Sequence, residues 1–320
     1  MEYTEQTQTA KNLDITEDMA SYDKNAKLLI SDPHLLAYIL KHTVSELKDL
    51  DESEIIRRIV DQHITKIPVE PGETNEIFRS LSTESSAKDE GTVYFDILCT
   101  VVHLDDKDIE TYLFVDFEIQ RSAKGSDILP RAVFYCGRMI SIQYGKEVTS
   151  DNYRGLRKVY TIWACVNCAK KDENTISRYY MTKEDVYGEF TDKQDCNMIE
   201  IVMIRLPEKV LPIEETHPLI RMVGTLLSDT MKASEKKKIL EMEYNIKMTQ
   251  ESERRLTDMC NLSEGILEKG YRKSIGVLVR TCKKYGGTYE DAVRDLKKEY
   301  NMSQQEAEEA AKFNWDQLAN

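Results

Sequence analysis

The sequence predicts a mixed α/β chain, an α+β mixed sheet followed by a helical C-terminal region, and three observations predict it. Between residues 31 and 47 apolar side chains recur at helical spacing. From residue 93 the apolar period falls to two and holds through 120, with a helical stretch and further strand runs after it. Beyond Pro207 and Pro212 no strand pattern returns.

Each element has its own signal. Residues 1–20 show no periodicity and are expected to be a disordered tail. Ser31, Asp32 and Pro33 start a helix with Leu35, Leu36, Ile39, Leu40, Val44 and Leu47 on one face. A second helical stretch is expected around Glu54–Ile64, broken after it by Pro68, Pro71 and Gly72. Two strands follow. Val93, Phe95, Ile97, Cys99 and Val101 share an apolar face in the first, and Leu113, Val115, Phe117 and Ile119 in the second. Asp105, Asp106, Lys107 and Asp108 form a polar turn that makes the pair a hairpin. Asp127 and Pro130 open a helix with Leu129, Val133, Ile140 and Tyr144 inward and Arg131, Tyr135 and Arg138 on another face. Strand runs cover 159–166 and 198–206, and from Leu219 onward the pattern is helix and turn. Charged helical stretches cover 232–260 and 263–285. Thr288 with Asp291, and Ser303 with Glu306, each read as a helix start. The division expected is a tail to residue 20, a sheet-bearing domain over 21–212 and a helical region over 213–320.

Composition narrows the function. A chain of 320 residues, 41% hydrophobic and 32% charged, has no run near the ~18 apolar residues of a membrane span. Its start is acidic and polar, unlike an export signal, and its 7 scattered cysteines do not form a disulfide framework, so the expected compartment is the cytoplasm. A net charge of −13 argues against a generic polyanion binder, yet it is uneven. Residues 1–120 hold 11 Lys/Arg against 26 Asp/Glu, whereas 121–158 hold 8 against 3. Carboxylates thus stand directly before a basic block, the first sign of chemistry on phosphate.

The hairpin concentrates the carboxylates. A turn centred on Lys107 puts Asp96 opposite Glu118, and one centred on Asp106 puts it opposite Asp116. Either way acids crowd one face and repel unless something positive sits among them. A divalent cation on Asp96 and Glu118 would relieve this, and hard oxygen ligands suit magnesium or manganese. Such an ion activates water for phosphodiester chemistry. Gln120, two residues past Glu118, is placed to orient that water, with Asp116 assigned to the wet rim. Arg131, Arg138, Arg154, Arg157 and Lys158 are the candidates for holding the phosphate backbone.

At these residues the chain resembles a known family. VYFDI at 93–97, VDFEIQ at 115–120 and ILPRAVFYCGRMI at 128–140 are similar to the PD-(D/E)XK nuclease-like transposases, also called the recombination-promoting nuclease (Rpn) group. YDKNAKLLISDPHLLAYIL at 22–40, LSTESSAKDEGTVYFDI at 81–97 and LSEGILEKGYRKS at 262–274 share the likeness. The resemblance implies a PD-(D/E)XK restriction-endonuclease-like core over 21–212, with Asp96 and Glu118 as metal ligands. It also implies a magnesium- or manganese-dependent DNA endonuclease or transposase linked to mobile elements or recombination. Gln120 stands where the wider superfamily has its motif lysine, an E-x-Q variant that shifts water activation onto the metal. Under the same likeness Glu84 is a further metal ligand, and Asp23, Lys27 and Tyr135 are additional site candidates. DNA is the expected partner, with a homodimer as the expected assembly. The alternative is a decayed nuclease fold that binds nucleic acid or protein without cutting.

Other motifs carry less. Cys165 and Cys168 form C-x-x-C without a second pair, and buried thiols explain them better than zinc. The last short helix carries Glu306, Glu308 and Glu309 and would be repelled by DNA, so packing is its expected role.

Overall fold

Helix α1 (Gln8–Ile30) contains neither Gly nor Pro, which lets a helix form where a tail is expected to residue 20. The computed structural model describes residues 8–69, 93–104, 110–121, 127–144, 147–191 and 196–316. Helix α2 (Pro33–Thr43) starts where the Asp32 carboxylate accepts the His34 N–H at 3.0 Å, and buries Leu35, Leu36, Ile39 and Leu40. It ends before Val44, and Leu47 lies in a separate 3₁₀ turn, Ser45–Leu47.

The helix expected over 54–64 is a correction. Helix α3 stops at Arg58 (Glu52–Arg58) and the chain continues as strand β1 (Ile59–Val69), antiparallel to β2 (Val93–Leu104). A partner strand decides this, and local periodicity does not register it. Pro68 lies inside β1, which is an edge strand, the place in a sheet where proline is tolerated.

Strand β3 (Glu110–Gln120) completes the hairpin, and then come α4 (Ile128–Ser141), β4 (Val159–Cys165), β5 (Thr175–Tyr180) and β6 (Ile199–Arg205). The six-stranded sheet runs β1-β2-β3-β4-β6-β5. The β1-β2-β3 stretch and the β5-β6 pair are antiparallel, while β3-β4 and β4-β6 are parallel. A parallel neighbour requires a crossover, and α4 is that crossover between β3 and β4. It packs on β4 and β6. Strand β5 went unpredicted because TISRYY is a half-exposed edge without a continuous apolar face.

Helix α4 turns differently from its expected orientation. Ala132, Tyr135, Cys136, Arg138 and Met139 are buried, whereas Val133, Phe134 and Tyr144 are exposed. The small Ala132 and Cys136 let the helix lie close to the sheet, and the wider Val133 and Phe134 face out. With α4 on this face every residue of β4 is buried.

The chain forms two compact units, Asp23–Asp258 and Met1–Tyr22 with Met259–Asn320. The larger unit carries on past residue 212 because α5 (Pro218–Leu227) buries Leu219, Met222, Val223 and Leu226. Helix α6 (Ala233–Tyr244) ends at Asn245, left-handed with φ 52°, and α7 (Gln250–Lys284) is one helix where two charged stretches are expected. In the smaller unit α8 (Tyr289–Tyr300) and α9 (Gln304–Asp316) close on Ala292, Leu296, Ala307 and Ala311. Thr288 and Asp291 exchange bonds as a capping box, as do Ser303 and Glu306. Asp18 and Lys269 pair at 2.6 Å in the same unit. No helix among the described residues is long and apolar enough to cross a membrane.

Candidate active site

The hairpin register decides which acids meet. Leu98 pairs with Asp116 and Ile97 with Phe117, the register centred on Lys107, so the next step brings Asp96 to Glu118. The turn itself, 105–109, lies outside the described residues. At that step side chains replace the backbone ladder. The Asp96 N–H donates to Glu118 Oε1 at 2.9 Å, and the Ile119 N–H donates to Asp96 Oδ2 at 3.0 Å. Each carboxylate is thereby fixed by the opposite strand's backbone. The alternation also breaks nearby, since Phe95 packs with Leu98 and Phe114 and meets the Tyr135 ring at 5.3 Å, on the α4 side rather than with Ile97.

Burial under α4 sets the electrostatics. Asp116, expected at the wet rim, is 0% exposed and Glu118 is 4% exposed. Asp116 Oδ2 accepts the Thr161 hydroxyl at 2.7 Å, and Thr161 in turn accepts Trp163 Nε1–H at 2.9 Å. Asp116 Oδ1 receives no N–H, and the Asp116 carboxyl shares a hydrogen bond with that of Glu118. Burial first, and then the neighbouring Glu118, raises the Asp116 carboxyl well above the usual aspartate range. Burial and then the charge of Asp96 push Glu118 up to about 8. The Lys27 ammonium, at the end of α1, pairs with Asp96 Oδ1. One helical turn earlier Asp23 pairs with Arg121 at the end of β3.

Asp96 and Glu118, hard oxygen donors with the raised Asp116 carboxyl against them, fit a divalent cation. Asp96 and Glu118 are the residues that would hold it. Among the described residues no group of three His, Cys, Asp or Glu side chains is placed to hold a metal ion, so the carboxylates that would hold one are a pair. Glu84 lies outside the described residues.

Gln120 stands beside this pair and its Oε1 accepts Arg131 Nη1–H at 3.0 Å. Arg131 comes from the first turn of α4, with its guanidinium 5.1 Å from the Trp163 ring centroid and 5.6 Å from that of Tyr135. The Tyr135 hydroxyl also accepts from Arg131, at 3.4 Å.

A sequence model of the PD-(D/E)XK nuclease family transposases matches residues 78–263, over half of the chain, including all of β2, β3 and α4. The chain belongs to this family of PD-(D/E)XK nuclease transposases. Set against curated proteins and against solved structures, it finds no match.

A PD-(D/E)XK nuclease acts on nucleic acid, so the basic block of this one matters. The structure separates its members. Arg131 and Arg154 are exposed. Arg138 is buried, its guanidinium 5.1 Å from the Phe134 ring centroid. Arg157 bonds Glu147 at 3.3 Å and Thr111 Oγ1 at 2.9 Å, in a loop where Gly155 passes so close to the Glu147 carbonyl that a Cβ would lie 1.8 Å from it. Lys158 pairs with Glu46 at 2.8 Å and Glu200 at 2.7 Å. Arg138 is thus buried and Lys158 ion-paired, unlike the exposed Arg131 and Arg154. Cys165 and Cys168 are both buried, with the Cys168 thiol 3.3 Å from the Cys165 carbonyl.

Sequence reasoning passed over Thr161 and Trp163. The available signal was a hydroxyl inside the otherwise apolar run VYTIWAC, because a polar group in a fully buried strand needs a partner.

Proposed function

We propose that the protein is a magnesium- or manganese-dependent DNA endonuclease of the Rpn type, hydrolysing phosphodiesters in the service of mobile elements or recombination. The observation that carries this reading is the Asp96–Glu118 pair, each acid bonded to the other strand's backbone. When bound there, the cation would lower the pKa of a water and neutralise charge on the phosphate. The protein's own groups do the rest. Asp96 and Glu118 hold the ion, with Glu84 as a further ligand. Gln120, oriented by Arg131, aims its amide at the attacking water, with no charge of its own to add. Exposed Arg131 and Arg154 grip the DNA backbone. The enzyme works in the cytoplasm, where its cysteines remain free thiols, and as a homodimer.

Supercoiled plasmid incubated with the purified protein, with and without magnesium, tests this. Nicking should require the metal and fall by at least about 1,000-fold in Asp96→Ala and in Glu118→Ala, roughly 4 kcal/mol of barrier. If neither variant slows the cut, the site is elsewhere. If the protein binds DNA and never cuts, the decayed-nuclease reading replaces this one.

A further inference from the structure

The site contains a cation of its own that strand chemistry does not explain. Lys27 reaches Asp96 from α1, and the side chains are only 16% and 17% exposed, so this is no loose surface pair. Its place is overdetermined. Lys27 lies in the last turn of α1, where the helix dipole favours a cation. Asp23, four residues earlier and so on the same helix face, is locked to Arg121, which pins this end of α1 to the end of β3.

Asp96 has two oxygens and both are engaged. Oδ2 accepts the Ile119 N–H, a bond that also holds the strands together, while Oδ1 meets Lys27. Oδ1 is the Asp96 oxygen that no strand N–H is shown to bond, so a metal ion can take it without touching the hairpin. Lys27 and a metal ion at that oxygen would then compete for one atom. The displaced ammonium stays tethered to α1 by its flexible stem, within reach of the same carboxylates. The strand side offers no substitute, because position 120 is an uncharged glutamine already bonded to Arg131.

We propose that Lys27 is a working cation of the active site: it occupies Asp96 Oδ1 until a divalent metal enters, yields that oxygen, and then presents its charge to the scissile phosphate. The inference rests on the metal-site reading of Asp96 and Glu118. It makes binding and cleavage respond in opposite directions to one substitution. A lysine that merely braces the fold would move them together.

Calcium affinity by titration calorimetry, metal-free thermal stability and single-turnover plasmid cleavage with magnesium should be measured on wild type, Lys27→Met and Lys27→Arg. Lys27→Met should bind calcium about 10 to 100-fold more tightly, the range by which one close opposite charge biases a carboxylate, and cleave at least about tenfold more slowly. Lys27→Arg, which grips a carboxylate with two N–H groups, should bind calcium more weakly than wild type. Equal calcium affinity in all three proteins overturns the competition. Tighter binding with unchanged cleavage overturns the role toward phosphate. If Lys27→Met does not fold, the arginine variant alone decides, and unweakened calcium binding there refutes the proposal. Wild-type protein that binds no calcium sinks the metal-site reading itself, a result distinct from these.

Discussion

Two sets of buried carboxylates in the same sheet have opposite characters. Glu200 on β6 has a side chain only 2% exposed, yet Lys158 and Arg178 bind it from either side. Burial pushes its carboxyl up, and the hydrogen bonds from those two cations outweigh that and hold it below the ordinary glutamate range. Glu46 joins the same lysine and accepts the Tyr160 hydroxyl. Glu118 on β3 is comparably buried but faces Asp96 and Asp116 and is driven up to about 8. Burial is common to both, so counter-charge makes the difference. The neutralised set braces the fold, while the set left short of cations is the one proposed to take a metal.

Breaking the neutralised set should have the largest effect on stability. Lys158→Met leaves Glu46 and Glu200 facing each other with Arg178 alone, and should cost about 3 kcal/mol, the lower end for removing one partner of a buried pair. Cleavage per folded molecule should stay within twofold of about the wild-type value. Urea denaturation alongside plasmid nicking checks both halves, and a loss of cleavage without a loss of stability would return Lys158 to the DNA surface.

On the electron-rich side, Gln120→Leu should leave thermal stability unchanged and slow single-turnover cleavage by about 10 to 100-fold, as expected when one polar group aimed at the transition state is lost. A rate matching the parent would leave position 120 with no part in the chemistry.

The smallest effect sharpens the electrostatic contrast. Because the Glu118 and Asp116 carboxyls are raised, the native state binds their protons more tightly than the unfolded chain. Their contribution to metal-free stability is complete below the ordinary glutamate value of 4.5 and is lost as pH rises through about 8. Asp116→Asn keeps an acceptor for Thr161 and removes one charge. It should therefore flatten that decline and add about 1 kcal/mol at the alkaline end. Melting curves across pH test it, and a steeper decline in the variant would reverse the sign of the argument.

The sequence exposed the hairpin, α2, β4 and β6 because each is written in local periodicity, and it also carried the family likeness. It identified the Asp96–Glu118 pairing as one of two registers, and choosing between them required the observed ladder. Features set by distant partners were hidden. Residues 59–64 look helical until β2 lies beside them. Asp116 looks like a rim residue until α4 and β4 close over it. Nor does the sequence show that Lys158 pairs with Glu46 and Glu200, or that Arg138 is buried beside Phe134. A charge count along the chain finds where cations are, but only the fold shows which are already paired.

The most direct test of the contrast is thermal denaturation at pH 8 with and without calcium, on wild type, Glu118→Gln and Glu200→Gln. A ligand that binds only the native state at about 100 times its dissociation constant adds about 2.7 kcal/mol, a shift of several degrees. Calcium should raise the melting temperature of wild type and of Glu200→Gln, which starts lower, and leave Glu118→Gln where it was. Equal calcium shifts in Glu118→Gln and wild type would contradict the assignment of the metal to the uncompensated carboxylates.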